Sequence, residues 1–521
     1  MGVGGLGVVF YFLGKKNSLC SDTFFLAEIK HHPQTAVESL QFVGLKQITR
    51  KRQTMNFTEA TLFWGFLVVY GVVMYVLSPK SKNANSFYKG ADDQGNPVSQ
   101  WSLTASIFIS WIFAKSVTNA ANLGAAYGVT GGLAYASYWL SIPVAGYIIY
   151  LIRTQTGARS LQDFLTSRFG RLASLAFAAA ILIRLYNEVW SNTAVVGGYF
   201  GLPGEWEYYS AAMLFTVFTL AYSLKGGLRS SIFTDVIQAF VFVFFVGAVL
   251  FLIVPANDTS ALLTDGEFKL NAGFDLLLVA LLQMFSYPFH DPVLTDRGFV
   301  NKEKTMLKSF VVAGLLGFVA VFIFSLVGVH ARLNGIEAMG NAPAAVGQSL
   351  GLAALFFMSV VMMTSAGSTL DSTFSSLAKS LAVDLPRLAK RAKDRLPSVR
   401  VGAVIMIVFA LLGNLPMFAG TDILKATTIS GTMVMGLAPV FLFYGFTRWS
   451  PWSFHLSFWT GLGLGVLLAT GLIPASWAIG DGKYAMLLGV NAYGFLICTA
   501  GFFMPLVVRR LAGRSLAAGE V

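Results

Sequence analysis

Charged residues are scarce in this sequence. Asp, Glu, Lys and Arg make up 12% of the 521 residues, whereas an ordinary soluble domain contains roughly 25%. Hydrophobic residues reach 55%, and the mean hydropathy is +0.66. A chain with so little charge cannot surround itself with a solvated surface. The composition therefore excludes a soluble globular protein and indicates a protein that crosses a membrane several times.

Cysteine is almost absent, and patterns of catalytic residues are missing. Cys20 and Cys498 lie too far apart to give a metal-binding or redox spacing. No metal-ligand spacing, nucleophile elbow or phosphate-binding loop occurs, so we expect neither an enzyme nor a cofactor. The formal net charge of +12 is explained by basic loops at a membrane rather than by a nucleic-acid partner.

The first 54 residues differ from the rest of the chain. Their apolar run, Val3–Leu13, is shorter than the roughly 20 residues needed to cross a bilayer. Met55 immediately precedes a good span. We therefore expect residues 1–54 to be a non-native or disordered extension and residues 55–521 to form a single transmembrane domain.

Apolar runs long enough to cross the membrane as helices predict an all-α fold with about 13 transmembrane helices. The thirteen candidate spans are 57–79, 102–126, 131–152, 172–199, 208–224, 231–254, 273–289, 308–329, 350–380, 401–419, 424–446, 453–473 and 485–507.

Basic residues in the connections predict the orientation. One set of alternate loops, together with the C-terminus, holds most of the Lys and Arg residues, whereas the other set holds only Lys269, Arg332, Lys425 and Lys483. Basic loops stay in the cytoplasm. We therefore expect a multi-pass protein of the plasma (inner) membrane with its N-terminus outside and its C-terminus inside.

The segment Trp101–Trp139 is apolar enough to enter a membrane but carries Lys115 and Asn119 in its middle. A charge at membrane depth is costly unless it faces the interior of the bundle and finds a partner. Broken, polar helices of this kind line the cavities in which transporters hold substrates and ions. We interpret the segment as one wall of a transport site.

Other ionisable residues inside the spans allow a structural and a functional interpretation. Arg184 and Glu188 are four residues apart and form either a structural ion pair or, for Glu188, part of a substrate cavity. Asp235 either stabilises its helix N-terminus or supports an ion site. His290 follows the helix-breaking Pro288 and is either structural or a proton shuttle.

The span 350–380 is rich in serine and threonine. Small hydroxyl residues let membrane helices pack closely, but a cluster of neutral oxygens also suits a monovalent cation. Ser368 and Thr369 follow Gly367, where the helix is least protected.

Three motifs resemble the sodium:solute symporter family, which includes the sodium/glucose and sodium/proline symporters. They are GGLRSSIFTDVIQAF, SAGSTLDSTFSSLAKSLAVDL and HDPVLTDRGF, while the segment Ser110–Gly132 looks more like the urea-permease branch. The resemblance implies a LeuT-like fold in which five helices (102–254) are repeated upside down (273–446), so that the core is 102–446. It also implies a sodium site made by Ile112, Lys115, Ser365, Ser368 and Thr369, with Asp235 in support.

Lys115 departs from the family pattern, because an ammonium beside the sodium site would repel sodium. Two hypotheses follow. Either Lys115 points away from the sodium site or pairs fully with a carboxylate, for which Asp371 and Asp235 are the candidates, and sodium still drives uptake. Or the ammonium replaces sodium, and the protein is a proton-coupled or sodium-independent permease.

The sequence thus predicts a secondary active transporter that couples a small polar organic solute to sodium or protons by alternating access. The substrate-side residues we expect are Trp111, Lys115, Asn119, Glu188, Tyr287 and His290. The expected partners are the solute and the lipid bilayer. A transporter-like sensor that signals through a separate partner is the alternative from another class.

Overall fold

Helices account for the regular structure of the computed structural model, because a backbone in lipid must satisfy its own hydrogen bonds. The structure describes residues 57–338, 340–388, 396–419, 430–446 and 450–511. The predicted extension 1–54 lies outside the described residues. The chain divides into the units Met1–Thr61 and Leu62–Val521.

The α-helices of the first predicted repeat and of the residues before it follow one another with short connections. Their bounds are α1 Phe57–Leu77, α2 Ala84–Lys89, α3 Gln100–Ser110, α4 Ala114–Ala136, α5 Ser141–Thr156, α6 Leu161–Phe169, α7 Arg171–Gly197, α8 Trp206–Gly226, α9 Leu228–Ile253 and α10 Thr259–Thr264.

The second predicted repeat and the final helices continue in the same way. Their bounds are α11 Phe274–Gln283, α12 Pro292–Thr295, α13 Glu303–Leu333, α14 Ala342–Leu350, α15 Leu352–Lys379, α16 Leu385–Leu388, α17 Val399–Leu412, α18 Leu437–Leu442, α19 Pro451–Ala469 and α20 Ala485–Leu511.

Every predicted span overlaps a helix of the described chain, although some helices are broken or joined. Within the described residues, nine uninterrupted segments are long and apolar enough to cross a membrane. The count is below thirteen for three reasons that concern fully described spans. Ala114–Thr156 runs on as one segment of 43 residues that overlaps both of the spans 102–126 and 131–152, the span 273–289 is interrupted, and the helix of the span 208–224 is not among the nine segments. Of the span 424–446, only residues from 430 onward are described.

Two of these interruptions occupy equivalent places, in the first helix of each predicted repeat. The first lies between α3 and α4, where Trp111–Phe113 leave the helix. The second lies between α11 and α12, where a 3-10 turn at Tyr287–His290 contains Pro288, which has no amide hydrogen to donate. Each break leaves backbone groups and side chains available at mid-helix, as expected of the binding site in a transporter.

Glycines set the distance between α4 and α13, which pack closely together. A Cβ atom added at Gly328 would lie 1.7 Å from the carbonyl oxygen of Ala121, and one added at Gly124 would lie 2.3 Å from that of Ser325. Residues without a side chain allow membrane helices this close approach. The second half of the first broken helix is therefore held firmly against the second repeat.

We expect Gly328→Ala to lower the thermal stability of the purified protein in detergent. The added methyl group has no room, and overpacking of this kind costs about 1–3 kcal/mol. Gly247→Ala in α9 is the matched control, since an added Cβ there meets nothing within 4 Å. Equal unfolding temperatures for the two variants would contradict the close packing of α4 on α13.

Candidate functional site

Four buried charges of alternating sign surround the two helix breaks. The Lys115 Nζ donates to Glu188 Oε1 at 2.6 Å and to Ser191 Oγ at 3.1 Å. Arg184 forms an ion pair with Glu188, and its Nη2 lies 3.0 Å from Asp291 Oδ2. We call Lys115, Arg184, Glu188 and Asp291 the ionic floor, and its formal charge is zero.

The ionic floor ties the broken ends of both helices together. Trp111, in the first break, donates its indole N–H to Asp291 Oδ2 at 3.0 Å. The other Asp291 oxygen accepts the Val293 N–H at 3.0 Å and so caps α12. Asn192 donates to Glu188 Oε2 at 2.9 Å and accepts the Ala114 N–H at 3.2 Å. Both helix starts that follow the breaks are thus anchored to the floor.

The carboxylate that neutralises Lys115 is not one of the two expected. We expected Asp371 or Asp235, whereas the lysine pairs with Glu188 of α7. The ion pair between Arg184 and Glu188, one of the two interpretations of their spacing, is formed. Spacing along α7 predicts that these two residues share a face, but it does not tell which other helix that face meets.

An aromatic cavity, whose volume of about 550 Å³ includes open solvent, lies beside the floor. Its walls come from the first break, the half-helices α4 and α11, the turns that follow them, and Tyr484 just before α20. The lining residues are Trp111, Phe113, Ser116, Tyr135, Tyr138, Trp139, Leu276, Gln283, Tyr287 and Tyr484. Of the expected substrate-side residues, Trp111 and Tyr287 line this cavity.

The remaining expected substrate-side residues lie around the cavity wall. Asn119 is buried and donates to the Tyr135 hydroxyl at 3.2 Å, which in turn lies 3.3 Å from Ser116 Oγ. His290 is buried with its Nδ1 2.6 Å from the Tyr287 carbonyl oxygen. Its Nε2 has no hydrogen-bond partner in the described chain. Lys115 and Glu188 bind each other in the floor.

A second polar cluster lies on the other side of the breaks, around Asp235 of α9. Asp235 accepts hydrogen bonds from Ser106 at 2.5 Å and from Ser368. It also forms an ion pair with Arg297 Nη2 at 2.8 Å. The same guanidinium donates to Ser372 Oγ at 2.7 Å. Half-helix α3, the turn after α12 and α15 all meet in this cluster.

Asp371 adds a second carboxylate to this cluster. It accepts hydrogen bonds from Ser231 at 2.7 Å, Thr234 at 2.9 Å and Ser372 at 3.2 Å. Within the described part of the chain, Asp371 has no ion pair. The cluster therefore contains two carboxylates and one guanidinium, and Arg297 pairs with Asp235.

The structure brings the expected sodium-site residues together at the first break. Ser365 Oγ donates to the Ile112 carbonyl oxygen at 2.5 Å, and Thr369 Oγ1 donates to that of Ser110 at 3.3 Å. Ser368 connects the same stretch of α15 to Asp235. The donors are hydroxyl and carbonyl oxygens, which suit a hard monovalent cation. The Lys115 ammonium points away from them into the ionic floor.

Arg297 and Lys379 form ion pairs that the sequence did not predict. Arg297 was counted among the loop charges, yet its side chain is fully buried. Lys379 of α15 pairs with Asp296 and, at 3.2 Å, with Asp384. The sequence signal was the alternation of acid and base in HDPVLTDRGF directly after a proline-broken span. These ion pairs join α15 to the segment after α12.

The nine long apolar segments of the described residues indicate a multi-pass membrane protein. The resemblance to the sodium:solute symporter family is confirmed, since the model of that family matches residues 94–264.

The relatives that match are sodium/glucose cotransporters and similar solute carriers. Sodium/glucose cotransporter 1 of Oryctolagus cuniculus is 26% identical over 202 residues, which are 37% of this chain and 29% of that protein. Sodium/glucose cotransporter 4 of Homo sapiens is 22% identical over 191 residues, which are 36% of this chain and 27% of that protein. The matches thus span less than a third of these relatives.

Solved structures with the same fold cover most of the chain. The substrate-bound outward-open state of a Na⁺-coupled sialic acid symporter has a TM-score of 0.62 at 15% identity and covers 87% of this chain and 98% of its own. A nucleobase-cation-symport-1 family transporter in a closed conformation has a TM-score of 0.51 at 14% identity and covers 83% and 95%. The predicted LeuT-like fold is therefore confirmed.

We expect a double-mutant cycle on Lys115 and Glu188 to be strongly non-additive. Either Lys115→Met or Glu188→Gln leaves an unbalanced charge in the floor, which costs about 3–5 kcal/mol of stability. The double variant retains only Arg184 and Asp291, whose charges cancel. It should therefore unfold at a higher temperature than either single variant.

The control cycle uses Lys269→Met and Glu267→Gln, which remove an exposed ion pair. Exposed pairs contribute little to stability, so these variants should leave the unfolding temperature unchanged. Additive losses in the Lys115 and Glu188 cycle would show that the two residues are not coupled.

Proposed function

We propose that this protein is a secondary active transporter that carries a small polar organic solute together with a cation by alternating access. The observation that supports the proposal is that an aromatic cavity and a set of cation-ligand oxygens meet at the same pair of helix breaks. Discontinuous helices of this kind bind substrates and ions in transporters. The fold shared with cation-coupled transporters agrees with this proposal.

We assign the coupled cation to the oxygens of Ile112, Ser365, Ser368 and Thr369, with Asp235 in support. The excess carboxylate of the neighbouring cluster attracts a cation to this place. Sodium and a proton both neutralise the excess carboxylate. We favour sodium because neutral oxygen ligands surround the position.

The alternative in which the Lys115 ammonium replaces sodium has less support. That mechanism needs the Lys115 Nζ among the oxygens of α15, whereas Nζ lies 2.6 Å from Glu188 and 3.1 Å from Ser191, both on α7. Because the formal charge of the ionic floor is zero, the floor does not repel a sodium ion at the cation position. We therefore propose that sodium binds although a lysine occupies this part of the first broken helix.

We propose that the cluster around Asp235 and the Lys379 ion pairs close the side of the protein opposite the cavity. The pair of Arg297 with Asp235 and that of Lys379 with Asp296 tie α9 and α15 to the second broken helix. Opening that side requires these pairs to separate. Ligand binding drives the change only if solute and cation bind the two states with unequal affinity.

The proposed orientation follows from the basic loops. We place the protein in the plasma (inner) membrane with the C-terminus in the cytoplasm, so that the aromatic cavity faces outward. The protein works in this proposal without a cofactor other than its coupling ion and without catalysing a reaction. A sensor with the same fold remains the second class, and solute flux in proteoliposomes distinguishes the two.

We expect sodium to raise the unfolding temperature of the purified protein and Ser368→Ala to abolish this shift. A cation that binds only the folded state at roughly 100 times its Kd contributes about 2.7 kcal/mol of stability. Ser359→Ala is the matched control, because Ser359 lies on the same helix and bonds only to the Phe356 carbonyl. Choline chloride serves as the ionic-strength control.

The readout is the sodium-dependent shift rather than the unfolding temperature itself, since Ser368→Ala also removes a hydrogen bond to Asp235. A shift that Ser368→Ala leaves intact would contradict the cation assignment. A protein that responds to pH but not to sodium would favour proton coupling instead.

A further inference from the structure

We propose that the solute carried by this protein is uncharged and has a flat, weakly polar face. This inference rests on the proposed transport function and narrows it to a class of substrate. It follows from the way in which the charges around the cavity are arranged, since an ionic solute must find a counter-charge when it leaves water.

The first step concerns the ionic floor, which contains four of the charges near the cavity. The buried Asp275 also lies beside the cavity, but its Oδ1 accepts the Leu276 N–H at 2.8 Å and its Oδ2 the Tyr484 N–H at 2.7 Å, so the backbone already binds both oxygens. Two cations and two anions pair at 2.6 Å between Lys115 and Glu188 and at 3.0 Å between Arg184 and Asp291, with a further pair between Arg184 and Glu188. All four side chains are buried. An anionic solute could gain a cation here only by displacing Glu188 or Asp291, which would leave that carboxylate unpaired.

The second step concerns cationic solutes, which aromatic cavities often bind through their ring faces. Three of the lining rings already lie near a cation, and one of them is Tyr484, whose centroid is 5.9 Å from the Lys483 Nζ. The guanidinium carbon of Arg184 lies 5.2 Å from the centroid of Phe113 and 5.4 Å from that of Tyr287. The Lys115 Nζ lies 5.3 Å from the Phe113 ring. A cation that entered the cavity would therefore approach two like charges.

The third step concerns the groups that remain available to a solute. The ring centroid of Tyr287 lies 6.0 Å from that of Trp111 and 6.0 Å from that of Tyr138. The hydroxyls of Tyr287 and Tyr484 make no hydrogen bond within the described residues. Gln283 accepts from Tyr138 at 3.0 Å and donates to Asn491 at 3.0 Å.

These are apolar faces with neutral hydrogen-bonding groups at their edges, and none of them carries a charge. A solute that fits has one flat face for the rings and hydroxyl, carbonyl or amide groups along its rim. The formal charge that drives transport is then supplied by the coupled cation alone, which binds on the other side of the breaks.

The experiment measures which compounds proteoliposomes accumulate from a protein-free bacterial metabolite extract under inward sodium and proton gradients. Mass spectrometry of the washed vesicles identifies them, and empty liposomes give the background. We expect the accumulated compounds to be uncharged at pH 7. Accumulation of ions alone would overturn the substrate class but leave transport intact. No accumulation at all would overturn the proposed function itself.

A charge placed on the cavity wall tests the same inference in the protein. We expect Gln283→Glu to lower the uptake of an accumulated neutral compound about tenfold, because the new carboxylate keeps the hydrogen bond from Tyr138 but has no counter-charge, and it must be desolvated when the solute binds. Gln94→Glu, at an exposed position, makes the same chemical change and should leave uptake unaltered.

A more conservative variant tests the same inference if Gln283→Glu does not fold. Tyr484→Phe removes one hydroxyl and keeps the ring, so that uptake should fall several-fold through a weaker apparent affinity. Unaltered uptake in both Gln283→Glu and Tyr484→Phe would show that the solute does not occupy this cavity, and would overturn the inference.

Discussion

The pairing of Glu188 with two cations is the interaction on which the rest of the site depends. Lys115 and Arg184 are buried at the level where both broken helices leave their regular path. Neither cation would be tolerated there without a counter-charge, since an unpaired charge inside a membrane protein costs at least a few kcal/mol. Glu188 satisfies both, and Asp291 completes the set.

This pairing also explains how two interrupted helices keep a defined geometry. A helix break leaves backbone donors without partners. Asn192, held by Glu188, accepts the first free donor of α4, and Asp291, held by Arg184, accepts that of α12. The charges therefore fix the positions of the two half-helices as well as neutralising each other. Trp111 in the cavity wall is held in place as well, because it donates a hydrogen bond to Asp291.

Much of the fold could be predicted from the sequence, because the length and hydropathy of a membrane helix depend on local composition alone. Each of the thirteen predicted spans overlaps a helix, and the polar character of Ser110–Asn119 together with Pro288 indicated where the two breaks lie. The partners of the charges could not be predicted in this way. Lys115 and Glu188 are separated by 73 positions, and no periodicity in either helix tells which faces meet.

Arg297 is a second residue whose surroundings could not be predicted from the sequence. Its position after a proline-broken span suggested a cytoplasmic loop, and basic residues in loops normally set the topology. The structure instead buries it between Asp235 and Ser372, because α12 and the turn after it re-enter the bundle. A charge count along the sequence cannot distinguish a loop in water from a short helix within the protein. That distinction requires the tertiary structure.

The two sides of the breaks differ in a way that bears on coupling. The cavity side has rings and neutral polar groups above a floor without net charge, whereas the opposite side has hydroxyls and one carboxylate more than it has cations. A neutral solute and a monovalent cation can therefore bind next to each other without competing for the same counter-charge. In the proposed mechanism both positions share the break between α3 and α4, through Trp111 on the cavity side and Ile112 on the cation side, so that occupation of one restricts the backbone that forms the other. We therefore infer that coupling comes from the shared break rather than from contact between the ligands.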